Sequence, residues 1–242
     1  MKNGPGGRRR GGRNEVLAVF RSSIGRKALM AVTGIGLLGY VIVHMIGNLQ
    51  VYQGPDALNA YAKMLKGMPT LLWGVRITLL VLFAAHVYLG IALYLENRAA
   101  RPIGYVRFQY EQASIATRTM LLSGLVILAF VIFHLLHFTL GAVQPEYAEA
   151  RDPDGRPDVY AMVIHGFRNP ALTTSYVVAQ LFLGLHLYHA VPSMFQSIGL
   201  KHPRYNLLIE KLGLIVALVI VIGNVSMPLS IVFGIVGTSV GG

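Results

Sequence analysis

The sequence predicts an all-α membrane protein built as a bundle of five transmembrane helices. Three observations carry that prediction. Hydrophobic residues make up 54% of the 242 residues and charged residues only 13%, whereas a soluble domain carries about 25% charge. Five apolar runs, at roughly 28–50, 71–95, 118–141, 172–196 and 208–236, each reach the ~20 residues that cross a bilayer. The runs are continuous rather than alternating, which suits helices that satisfy their own backbone and not barrel strands. The excess of 21 Lys+Arg over 10 Asp+Glu gives a net charge of +11. With runs this apolar, the basic balance points to a membrane and not to nucleic acid. The chain has no cysteine, which excludes disulfides, Cys-ligated zinc, iron–sulfur ligation and covalent haem attachment by this chain.

Taken in order, residues 1–27 form a separate Gly/Arg-rich tail with Arg8, Arg9, Arg10 and Arg13, a composition that predicts disorder. Tail and first span together mimic a signal peptide only superficially. The apolar run is too long and lacks a small-residue cleavage site, so the first helix is kept. Residues 28–242 then form the transmembrane domain. The connection from the second to the third span carries Arg98, Arg101, Arg107 and Arg118. The connection from the third to the fourth is acidic, with Glu146, Glu149, Asp152, Asp154 and Asp158, and its Asp152-Pro153-Asp154-Gly155 reads as a turn. Pro192 and Pro228 are expected to kink the fourth and fifth spans. The fifth span has no histidine and reads as a wall of the bundle. Lys and Arg number fifteen on the side of the tail and the 2–3 and 4–5 connections, against five on the other. This predicts a cytoplasmic N-terminus and a C-terminus outside.

Six of the eight histidines fall inside the spans: His44, His86, His134, His137, His186 and His189. Ionisable residues at membrane depth are costly and mark function. At a rise of ~1.5 Å per residue, His44 and His134 sit roughly 10 Å below the outer surface. His86 and His186 sit roughly 14 Å from the inner one. An internal repeat separates these from their neighbours. Met30 to Gly34 and Tyr40 to His44 match Met120 to Gly124 and Phe130 to His134 at an offset of 90; His86-Val87-Tyr88 matches His186-Leu187-Tyr188 at an offset of 100. The primary set is therefore His44 with His134 and His86 with His186. His137 and His189 are either supporting residues beside these or packing histidines.

Two imidazoles from facing helices suit haem iron. Without cysteine the haems are non-covalent, hence two haem b. A zinc or iron site would want a carboxylate cluster at one depth, and a proton-coupled transporter would want buried carboxylates. Neither is present in the spans. Gly34, Gly36, Gly39, Gly47, Gly90, Gly124 and Gly184 either make room for a macrocycle or allow close helix packing. Thr33 and Ser123, eleven residues before His44 and His134 and on nearly the same helix face, bond either a cofactor edge or their own backbone.

At this point the sequence resembles a family, the cytochrome b membrane-anchor subunit of succinate dehydrogenase/fumarate reductase in its single-polypeptide, five-helix, di-haem form. The stretches that carry the resemblance are Phe20 to Gly25, His44-Met45-Ile46-Gly47-Asn48-Leu49-Gln50, Leu72-Trp73-Gly74-Val75-Arg76, Phe133-His134-Leu135-Leu136-His137-Phe138, Gly184 to His189, and Phe195 to Gly199, within roughly residues 20–235. The resemblance implies that His44 and His134 hold an outer, distal haem and His86 and His186 an inner, proximal one. It implies a complex with a flavoprotein subunit and an iron–sulfur subunit on the cytoplasmic side, and electron transfer to a membrane quinone, menaquinone or ubiquinone. It implies an integral protein of a bacterial-type cytoplasmic membrane that does not itself bind succinate. The chain departs from the pattern at Ala190, where glycine is usual. Gly184 and Leu185 also stand where some relatives carry a glutamate linked to proton movement.

Two quinone regions stay open: an inner one near Ser22, Ser23 and Arg26, and an outer one with Asn48, Gln50, Trp73 and Arg76, each an apolar setting with a few donors. Arg76 on the outside, and Arg26, Lys27 and Arg118 on the inside, are also candidates to pair a haem propionate or to snorkel to the interface. The basic inner connections suit either subunit docking or anionic lipid. Two other readings of the chain remain: a haem-free anchor or permease with packing histidines, and a cytochrome b serving a different dehydrogenase.

Overall fold

The computed structural model describes residues 22–100, 119–200 and 202–238. The Arg run of the tail, Arg101, Arg107, Arg118 and Lys201 lie outside the described residues. Eight α-helices are described: α1 Ser23–Asn48, α2 Pro55–Lys66, α3 Pro69–Ala99, α4 Met120–His134, α5 Pro145–Ala148, α6 Val159–Arg168, α7 Pro170–Ser197 and α8 Asn206–Val232. A 3₁₀ turn, Leu49–Gln53, extends α1, and a π turn, Leu135–Thr139, extends α4. Five segments are long and apolar enough to cross a membrane: Ser23–Gln53, Pro69–Ala99, Met120–Thr139, Pro170–Ser197 and Asn206–Val232. The chain is an integral membrane protein of all-α class. No strand occurs among the described residues, only a single bridge between Arg151 and Pro157.

Local chemistry sets the helix ends. The Ser22 hydroxyl accepts from the Gly25 N–H at 3.0 Å, so α1 starts at Ser23, five residues before the apolar run begins. Arg26 and Lys27 therefore lie in the first turns of the helix and not in a tail. Arg26 pairs with Glu96 in the last turns of α3, an ion pair that ties together one end of the antiparallel α1 and α3. Asn169 caps α7 through the Ala171 and Leu172 N–H groups, with Pro170 at the first helical position.

Both α7 and α8 continue through their internal prolines, Pro192 and Pro228. The Tyr188 carbonyl, which Pro192 deprives of its helical donor, faces the Cα of Gly213 on α8, where a Cβ would sit 3.1 Å from it. A Cβ on Gly213 would also lie 2.8 Å from the Pro192 ring. Small residues thus bring the proline-bearing stretch of α7 against α8.

α7 is central. It packs along α8 and against α4 and α1, while α1 also packs on α3. One end of the bundle carries a cap made of α2, α5, α6 and the loop between α5 and α6. Residues of the cap and of the adjoining helix ends, Val51, Leu58, Tyr160, Ile164, Phe167, Tyr176, Met227 and Ile231, form one buried cluster. At its centre Asn59, fully buried, donates to Asp152 (3.2 Å) and Asp158 (3.0 Å) and accepts from the Tyr160 N–H (2.9 Å). Arg156 clamps Asp152, Asp56 and Asp154 around it. The expected turn is present, with Gly155 at φ 71 and its N–H bonded to the Asp152 carbonyl. The helical content of both cap-forming connections is additional to what the sequence suggests.

Candidate paired-histidine site

The four primary histidines meet in two pairs, each between facing helices. The His44 and His134 ring centres are 5.7 Å apart, at 84° to each other. Those of His86 and His186 are 6.4 Å apart, at 60°. All four rings are half-buried. The first pair lies toward the cap, the second toward the opposite end, where the tail joins.

Thr33 and Ser123 fix the distance between the levels. Each stands eleven residues before its helix's own primary histidine, yet each bonds the other pair. Thr33 Oγ1 is 3.0 Å from His86 Nδ1, and Ser123 Oγ is 3.2 Å from His186 Nδ1. Eleven residues of helix rise separate the pairs by roughly 16 Å, measured equally along α1 and along α4.

These hydroxyls also fix the tautomers. A hydroxyl has one hydrogen and a carbonyl only accepts. Thr33 Oγ1 is 3.0 Å from the Leu29 and Met30 carbonyls, and Ser123 Oγ is 2.9 Å from the Met120 carbonyl. Each hydroxyl donates to its own helix and accepts from Nδ1–H, so His86 and His186 keep the lone pair on Nε2. Both alternatives for Thr33 and Ser123 therefore gain a third element, the imidazole of the neighbouring level.

The cap-side pair is held by other means. Asn48 Nδ2 donates to His44 Nε2 at 3.1 Å, and Tyr40 stacks on the His44 ring at 5.4 Å. His137, buried under the cap, donates from Nε2 to Gln144 Oε1 at 3.1 Å and accepts at Nδ1 from the Tyr176 hydroxyl at 2.9 Å. That leaves the Tyr176 oxygen to accept from His134 Nδ1–H at 3.5 Å. His86, His134 and His186 thus present a bare Nε2, the state in which imidazole ligates a metal, whereas the His44 Nε2 carries the Asn48 amide.

The remaining residues sort themselves by contact. His189 bonds Ser193, four residues on along its own helix, at 3.2 Å, whereas His137 joins the cap-side pair through Tyr176. A Cβ on Gly34 would lie 3.4 Å from His86 Cε1, and one on Gly124 3.8 Å from His186 Cε1, so these two glycines clear the backbone beside the tail-side rings. Gly36, Gly47, Gly90 and Gly184 instead face Leu82, Tyr61, Met30 and Val221, which is close packing. Gly39 faces open space. Ser22 caps α1, Ser23 begins it, and Arg26 is engaged with Glu96. Gln50 lies half-buried in the 3₁₀ turn. The Arg76 guanidinium sits 5.1 Å above the exposed Trp73 ring. Sequence reasoning missed Tyr176 and Gln144, because neither carries a spacing signal relative to His134.

Among the described residues, no three His, Asp or Glu side chains gather as a metal-ion cluster; the histidines come in twos. A metal bonded to one nitrogen of each ring at about 2 Å holds the ring centres roughly 6 Å apart, close to both observed spacings. No protein-family model, no curated protein and no solved structure matches the chain.

Proposed function

We propose that the chain is the di-haem cytochrome b anchor of a succinate:quinone oxidoreductase, carrying electrons between an iron–sulfur subunit and membrane quinone. The observation that carries this reading is the arrangement of four imidazoles in two facing pairs, one level roughly 16 Å above the other along the bundle. The donor set fits two b haems: nitrogen ligands only, ring spacings compatible with a shared metal, and glycines clearing the backbone beside the tail-side rings. His44 and His134 would hold the cap-side haem, His86 and His186 the tail-side haem. Bound there, haem iron supplies one-electron transfer.

The chain's own part is to hold and orient. Thr33 and Ser123 accept from the Nδ1–H groups of the tail-side ligands and fix their tautomer. Tyr176 does this for His134, and Asn48 orients the His44 ring by donating to its Nε2. The apolar helix faces keep bulk water away from both levels. The Lys/Arg balance orients the tail end to the cytoplasm of a bacterial-type membrane, where the flavoprotein and iron–sulfur subunits dock. The cap then faces outward. Of the two quinone regions, the cap-side one is favoured, because Asn48 touches His44 directly while Ser22 and Arg26 are committed to the helix cap and to Glu96.

The test is a reduced-minus-oxidised visible spectrum of the purified complex, with a pyridine haemochrome assay and reduction first by succinate, then by dithionite. Two b haems per chain, at least one reduced by succinate, are expected. Folded protein without haem overturns the reading in favour of packing histidines. Haem that succinate leaves oxidised points to a different dehydrogenase.

A further inference from the structure

We propose that Tyr176 and His137 are positioning residues that raise the donor strength of His134 and so lower the potential of the cap-side haem. The inference rests on the haem reading above.

Only His134 heads a hydrogen-bonded line that leaves the bundle. The supports of the other three primary histidines end at once: Thr33 and Ser123 on carbonyls of their own helices, Asn48 one turn from the His44 it bonds. From His134 the line runs through the Tyr176 hydroxyl to His137 and on to Gln144 in the cap. Both middle members are buried, Tyr176 6% and His137 2% exposed.

The surroundings are built for the line. Phe130, Phe133, Phe138 and Phe167 ring Tyr176 with centroids at 4.9 to 5.8 Å. A Cβ on Gly166 of α6 would fall 3.2 Å from His137 Nε2, so a glycine there makes the space for the imidazole. The internal repeat does not account for it, since the position 90 residues before His137 is Gly47.

The direction of every bond agrees. His137 Nε2–H donates to Gln144, Tyr176 O–H donates to His137, and His134 Nδ1–H donates to Tyr176. Such a chain polarises each member in turn, more strongly in apolar surroundings. Electron density rises at His134 Nε2, as it does for any ligating histidine whose other N–H is held. A stronger donor favours the oxidised iron.

The experiment is a potentiometric titration of the whole complex with Tyr176→Phe, His137→Leu and His137→Gln, with haem counted in each. His44→Ala identifies which potential belongs to the cap side. Tyr176→Phe is expected to keep two haems, to raise the cap-side midpoint by up to a tenfold change in equilibrium, about 59 mV for one electron, and to leave the tail-side midpoint unmoved. His137→Leu moves it the same way. His137→Gln, whose amide oxygen still accepts from the phenol, moves it less. If either middle variant fails to fold, Gln144→Leu reads the line from its far end and shifts the same midpoint upward. An unchanged cap-side potential in folded two-haem variants, or an equal shift of both haems, overturns the proposal alone. Wild-type complex without haem overturns the haem reading and this one with it.

Discussion

Thr33 and His44 lie on one face of α1, yet they serve different levels of the bundle. Thr33 gives its hydrogen to its own helix and takes one from His86, which leaves Nε2 of that ring bare. Thr33→Val keeps the shape and removes the acceptor. Loss of such a partner costs roughly 10–100-fold in metal affinity, so under the proposed di-haem reading the variant is expected to release the tail-side haem more readily in a haem-transfer assay while the cap-side haem stays. Ligand removal is sharper. Under the same proposal, His44→Ala and His134→Ala should each abolish the same haem in a redox titration and spare the other. Loss of the haem shared with His86 in either variant refutes the pairing.

At the scale of elements, the cap depends on one amide. Asn59 joins α2 to residues 93 to 101 positions away, Asp152, Asp158 and Tyr160. Asn59→Ala takes one donor each from Asp152 and Asp158, which keep Arg156 and the Ala161 N–H as partners, and strips the Tyr160 N–H of its acceptor. The orphaned N–H costs about 1–3 kcal/mol, which is expected as a fall in the thermal midpoint. The cap also has a defined acid limit. Burial pushes the Asp152 carboxyl up, but hydrogen bonds from the Arg156 side chain and backbone and from Asn59 outweigh it and hold the group below the ordinary 3.8. A carboxyl lowered in the folded state adds stability above pH 3.8 and loses it as pH falls through its folded value. Hydrogen exchange over residues 150–158 should therefore stay slow down to about pH 4 and quicken only below it. Between α7 and α8 the contact is steric. A Cβ on Gly184 would lie 2.6 Å from Val221 Cγ2, so Gly184→Leu is expected to part these helices and lower the yield of folded protein more than Gly39→Leu, which meets open space.

For the whole molecule, the Lys/Arg asymmetry predicts that the cap faces outward. The absence of cysteine makes this directly measurable. A single cysteine placed at Asp154 in the cap loop should react in whole cells with a membrane-impermeant maleimide, and one placed at His202, at the opposite end, should not. The reverse pattern inverts the orientation and moves the proposed docking face to the cap.

Length, hydropathy and rise per residue are properties of one strand of chain, and the sequence alone determined what depends on them: five spans, the absence of thiol ligands, and two histidine levels on alternate helices. The edges were less legible, because a cap such as Ser22 or an ion pair such as Arg26–Glu96 lets a helix run past its apolar stretch. The helices of the cap were hidden, since their burial depends on Asn59 meeting residues about a hundred positions away. The tertiary structure alone decided which hydroxyl holds which imidazole, which glycines face a ring and which face a helix, and that Tyr176 and His137 stand behind His134. The reason is that these relations lie between helices. A hydrogen bond needs two groups within about 3.5 Å in the right direction, and only the packing of α1, α3, α4 and α7 brings those groups together.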